Sequence, residues 1–176
     1  MLRRKFLLFL AFVLALTLVL TQALAADRER ARRRDRNCFP PVTDKAYVET
    51  CGACHFAYQP GLLPSGSWKK LLDGTEKHFD ASFELDPAIK KELAAYLEAN
   101  AAEKSTNRRS ARIMKSVGKT TPLRITDIQY IRDKHHEITP DDLKHPTLNG
   151  SLSNCAACHQ KAVEGDYNDR YVTIPK

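Results

Sequence analysis

Methionine and tryptophan are scarce in this sequence, with two of the first and one of the second among 176 residues. Long apolar runs are confined to the first 25 residues, so no later segment can span a bilayer. Neither half shows sustained alternation of apolar and polar residues, which leaves a mostly helical reading with much loop. Seven glycines, nine prolines and 28% charged residues are too ordinary for a collagen-like or disordered chain. A mass of 19.9 kDa excludes a large multidomain enzyme and leaves room for one or two small domains. Hydrophobic residues make up 43% of the chain, but many lie in the N-terminal run. What remains is a thin supply for a protein core, and a small core of that kind calls for a cofactor or staples.

The N-terminus reads as an export signal spanning residues 1–25. Arg3, Arg4 and Lys5 form a charged start, Phe6 to Leu20 an apolar run, and Ala23-Leu24-Ala25 a cleavage site. Cleavage after Ala25 is expected; the alternative is an uncleaved N-terminal helix that anchors the protein. In both cases the rest of the chain is exported, which points to the periplasm or an equivalent compartment and away from nucleic acid. Removing the signal lowers the formal charge from +7 to +4. Most of that surplus sits in Asp27–Arg36, where six arginines face three acids. Residues 26–43 are therefore expected to be a basic flexible leader, with contact to anionic lipid as the alternative.

The informative residues are Cys51-Gly52-Ala53-Cys54-His55 and Cys155-Ala156-Ala157-Cys158-His159. CxxCH is the attachment pattern of a c-type haem: each thiol forms a thioether with one vinyl group, and the adjacent histidine becomes the proximal iron ligand. Cys51, Cys54, Cys155 and Cys158 are thus the expected thioether residues, with His55 and His159 as proximal ligands. A zinc ribbon would keep its cysteine pairs about 15 to 20 residues apart; these begin 104 residues apart. The expected cofactors are two covalently bound haems c. Cys38 is left over, as a free thiol or an intermolecular disulfide partner.

Around the motifs the chain divides into a first haem segment at 44–100, a polar linker at 101–122 and a second haem segment at 123–176. A helix is expected over Asp44–Tyr58, another over Ser67–Leu72, and a third starting from Asp86 as N-cap with Pro87 in its first turn. The second segment predicts a helix over Thr126–Glu137, a turn at Thr139-Pro140 and a final helix from Ser151 through the second motif. The fold class is mostly α: two small haem-binding segments whose loops wrap two covalently attached haems.

The sixth iron ligand separates electron transfer from chemistry at an open iron. The mature chain has one methionine, Met114, so at most one haem can use it. For the first haem His78 is expected, set among Leu71, Leu72, Phe79 and Phe83, with Met114 as competitor. For the second, His135 is expected, with His145 as the alternative. His136 follows, because adjacent helical residues point about 100° apart and only one can face the iron. Trp68, Phe56, Tyr58 and Tyr130 are expected to pack on haem rather than relay electrons. Lys69, Lys70 and Lys77 form a cluster that could steer an acidic partner.

These residues resemble the exported dihaem cytochromes c of the DHC type. The resemblance runs from about Cys51 to Pro175. It rests on Cys51 to Tyr58, Pro60-Gly61-Leu62-Leu63-Pro64, Ser67-Trp68 and His78-Phe79, then on Asn154 to His159, Gly165, Tyr167 and Ile174-Pro175. One departure is Asp80, where glycine is expected after the His-Phe pair, and it bears on the turn beyond His78. The resemblance implies a bis-histidine carrier whose distal ligands match His78 and His135. It would stand between a membrane b-type cytochrome as donor and a small oxygen-binding monohaem cytochrome c as acceptor. Bis-histidine ligation implies a low potential, since a methionine thioether would raise it. The expected function is periplasmic electron transfer, without catalytic residues or a small-molecule substrate. The alternative is a haem enzyme reducing peroxide or another small oxide at one pentacoordinate iron.

Overall fold

The computed structural model describes residues 2–35 and 38–176, with side chains described for 14–31 and from 38 onward. Two compact units result, Met1–Arg36 and Asn37–Lys176. The first is helix α1, Leu2–Asp35. No glycine or proline interrupts that stretch, and its alanine, leucine and arginine are strong helix formers. Residues 26–35, expected as part of a flexible leader, therefore continue the helix. The side chains of Arg3, Arg4 and Lys5, and of the basic run at 32–36, lie outside the described residues. Among the described residues no helix is long and apolar enough to cross a membrane.

The second unit is mostly helical. Helix α2 covers Lys45–Cys51, α3 Ser65–Asp73, α4 Pro87–Asn100, α5 Arg108–Val117 and α6 Gln129–Lys134, joined by single turns of 3-10 helix. Asp44 caps α2 by accepting from the Tyr47 amide, and Asp86 caps α4 by accepting from Ala88 and Ile89, with Pro87 in the first turn. Helix α3 has no side-chain cap of its own. Instead the Glu103 carboxylate, 38 residues along the chain, accepts from the Ser65 amide and hydroxyl.

Helices α2, α3 and α4 and the turn at Pro60–Leu62 bury Tyr47, Leu62, Leu63, Trp68, Leu72, Leu93 and Leu97. The polar linker expected at 101–122 is a third wall of that core. Asn107 caps α5, and Ile113 and Val117 are buried in the same cluster as Trp68 and Leu97. The few apolar residues there read as isolated in sequence, yet at helical spacing they form one buried face. Phe39, on the expected leader, is 1% exposed and joins this core too.

Beyond α6 the backbone is almost free of regular structure. The helix expected over Thr126–Glu137 shortens to α6, preceded by a 3-10 turn at Ile125–Asp127. The final helix expected from Ser151 is absent, and Cys155–Ala157 forms one 3-10 turn. The helix expected over Asp44–Tyr58 likewise stops at Cys51, where the Gly52 amide closes the last turn on Val48. No sizeable protein core underlies 135–176: its buried apolar residues are Leu148 and Ala162.

Candidate haem sites

Each CxxCH segment begins on a hydrogen-bonded turn. In the first, Cys51 ends α2, and Cys54 and His55 follow in an exposed bend. In the second, the Cys158 and His159 amides both donate to the Cys155 carbonyl, at 3.3 and 2.8 Å. None of Cys51, Cys54, Cys155 and Cys158 is engaged in a disulfide. Before haem attachment, burial pushes the Cys51 thiol up to about 11 and the Cys155 thiol also to about 11.

The fold brings the ring of His78 to His55 and the ring of His135 to His159. The centroids lie 6.4 Å apart in the first pair, with planes 21° apart, and 5.9 Å apart in the second, with planes 72° apart. An imidazole nitrogen binds a metal at about 2 Å and lies about 1 Å from its ring centre, so two rings on one ion stand roughly 6 Å apart. Both pairs have the separation of two imidazoles on one metal ion.

Hydrogen bonds hold three of the imidazoles or leave them open in a telling way. His55 Nδ1 meets the Phe56 carbonyl at 2.9 Å, and His135 Nδ1 meets the Ile131 carbonyl at 2.7 Å. Donation from Nδ1 leaves Nε2 as the lone pair available to a metal. His159 Nδ1 is buried without any hydrogen-bond partner in the protein. Burial first, then the neighbouring His55 and Arg124, holds His78 below the usual histidine range. Burial, His135 and Arg109 do the same for His159. Both are therefore neutral near pH 7, the form that binds iron.

The other candidates lie elsewhere. His136 is exposed and contacts the Asp133 carbonyl, and His145 Nδ1 contacts the Thr147 hydroxyl at 2.9 Å. Met114 packs from α5 against the hydrophobic core. Trp68 lies in that core as well, its indole N–H donating to the Pro60 carbonyl. Lys69 is paired with Asp73 at 2.7 Å, and Lys70 donates to the Thr121 hydroxyl.

Several residues that tie the sites together carried no signal in the motifs. Tyr58 stands 4.8 Å from the His55 ring, while its hydroxyl donates to the Ser153 carbonyl at 2.5 Å, two residues before Cys155. Gln59, 1% exposed, donates to the Ala162 carbonyl and accepts from the Tyr167 hydroxyl. The Tyr167 ring in turn lies 5.2 Å from that of His159. A polar side chain directly after an aromatic pair gives no hint of a bridge 108 residues long.

The turn after His78 is intact. The Ala81 amide donates to the His78 carbonyl, and the left-handed residue is Phe79, at φ 56°, rather than Asp80. Arg124 covers the Phe79 ring at 3.8 Å.

The family model for dihaem cytochrome c matches residues 47–167. The chain belongs to the dihaem cytochrome c family. Among solved structures it is similar to the dihaem cytochrome c of Rhodobacter sphaeroides, with 39% identity and a TM-score of 0.64, over 73% of this chain and 99% of that one. It is also similar to the dihaem cytochrome c of Shewanella baltica OS155, with 30% identity and a TM-score of 0.60, over 74% of this chain and 92% of that one. No curated protein matches. As a dihaem cytochrome c it holds two covalently bound c-type haems with their irons, and its redox partners are proteins.

Proposed function

We propose that this dihaem cytochrome c is an exported, non-enzymatic electron carrier of low potential with two bis-histidine irons. His55 and His78 bind the first iron, and His159 and His135 the second. Cys51 and Cys54 tether one haem and Cys155 and Cys158 the other. The observation that carries this reading is the pairing of four histidines into two couples at 6.4 and 5.9 Å. When bound, each haem supplies one-electron iron chemistry. The protein's part would be to supply two imidazoles to each iron, leaving it no vacancy for peroxide, and to keep each imidazole neutral and oriented. Tyr58 and Gln59 hold the two motifs in one rigid arrangement, which suits passage of an electron between the sites. A signal at residues 1–25 and the periplasm complete the reading, with a membrane b-type cytochrome as donor and a small oxygen-binding monohaem cytochrome c as acceptor.

Magnetic resonance of the oxidised, haem-loaded protein at low temperature tests the ligands. Two low-spin irons are expected. His78→Ala and His135→Ala should each turn one iron high-spin. An unchanged spectrum for His78→Ala would return the first iron to Met114, and a high-spin iron produced by His145→Ala would overturn the second assignment. Rapid peroxide turnover by the unaltered protein would favour the enzyme reading.

A further inference from the structure

Helix α5 carries its cations on one face. At about 100° per residue, Arg108, Arg112 and Lys115 fall within about 60° of arc. All three are exposed, and the opposite side of the helix buries Ser110, Ile113 and Val117. Lys119, just past the terminal Gly118, is exposed as well, and Lys70 reaches Thr121 two residues later. Elsewhere on this unit several surface lysines are matched, Lys45 with Glu49, Lys69 and Lys90 with Asp73, Lys144 with Asp141 and Lys161 with Glu164, whereas Lys77, Lys91, Lys104 and Lys134 are exposed on other elements. Among the described residues Arg108, Arg112, Lys115 and Lys119 have no acidic partner.

Folding alone does not account for this arrangement. Two arginines open α5 and its first turn holds no acid, so the charges oppose the helix dipole. Arg108 and Arg112 also repel one another at four-residue spacing. The face has no aromatic or large aliphatic side chain to insert into lipid, which disfavours a membrane surface and favours a protein.

Its position adds a second argument. On the flank of α5, the Arg109 guanidinium donates to the Tyr167 carbonyl at 2.8 Å, and the Tyr167 ring lies against His159. The basic face is thus anchored beside the second haem site.

We propose that the exposed face of α5, formed by Arg108, Arg112, Lys115 and Lys119, docks an acidic redox protein that exchanges electrons through the His135–His159 site. The proposal rests on the electron-carrier reading and names the surface and charge of the partner. Lys69, expected to take part in steering, is neutralised by Asp73 and lies outside this surface.

The test is stopped-flow mixing of the reduced, haem-loaded protein with the acidic haem domain of cytochrome b5 as probe, at several ionic strengths. The triple variant R108E/R112E/K115E should slow transfer about tenfold or more at low salt and lose most of the salt dependence. R108Q/R112Q/K115Q should fall between. Visible spectra should stay unchanged, and K69E/K90E, at the two lysines paired with Asp73, should stay within about twofold of the unaltered protein. Equal rates in the triple variant and the unaltered protein would overturn the surface assignment. Loss of binding to phosphatidylserine vesicles in the triple variant, with transfer intact, would overturn it in favour of a membrane. If the unaltered protein transfers no electrons to the probe or to ferricyanide, the carrier reading itself fails.

Discussion

Single residues decide how the two halves of this dihaem cytochrome c meet. Gly165 lies at φ +77°, and its carbonyl accepts from the Phe39 amide at 2.9 Å. A Cβ there would stand 2.1 Å from the Phe39 carbonyl oxygen. Left-handed backbone costs a side-chain-bearing residue roughly 1 to 2 kcal/mol, and the clash must also push Phe39 out of the core. Gly165→Ala should therefore lower stability by about 2 kcal/mol or more, read as a shift in the urea midpoint of the haem-loaded protein. A change under about 0.5 kcal/mol would show that the Phe39 segment is not held there. Phe79 is the reverse case, a side-chain-bearing residue in left-handed backbone whose ring is covered by Arg124. The turn at His78 thus needs no glycine, and Asp80 in the glycine's place is compatible with it.

Among the elements, α3 shows how a distant residue supplies what local sequence lacks. Pro64 cannot cap the helix, so Glu103 does, accepting from the Ser65 amide and hydroxyl. Burial would raise the Glu103 carboxyl, but the bonds from Ser65 outweigh it and hold the group below the usual carboxylate range. A depressed folded value means that the unfolded chain binds the proton more readily. The contribution is present above the unfolded value of about 4.3 and is lost as pH falls through the folded value. Glu103→Gln should cost about 1 kcal/mol at pH 7, in the range of a lost helix cap, and the difference from the unaltered protein should shrink toward pH 3. A difference independent of pH would mean that charge plays no part. Helix α5 is the element most changed by tertiary context. Its arginines and lysines read as a solvated linker, but one face completes the core.

At the scale of the whole molecule, stability is unevenly distributed. Residues 44–134 bury a continuous cluster around Tyr47, Trp68, Leu97 and Ile113, whereas 135–176 contribute Leu148 and Ala162 and short turns. The second segment must therefore draw its order from the haem and from Tyr58, Gln59 and Tyr167. Protein made without haem attachment should lose amide protection over 135–176 first and keep part of it in α3 and α4, a pattern hydrogen exchange can read. Equal protection across both regions would refute that division. Both attachment motifs, with His55 and His159 in them, and the cap of α4 were legible in the sequence, because covalent spacing and capping chemistry are local. So was the mostly helical class, since periodicity and the absence of alternation are also local. Only the tertiary structure decided that His78 meets His55 and that His135, rather than His136 or His145, meets His159. The same holds for Phe39, Gln59, Glu103 and α5, whose partners lie 38 to 126 residues away, from Ser65 to Gly165. Their roles depend on which surfaces the folded chain brings together, and no local pattern of residues encodes a contact across that distance.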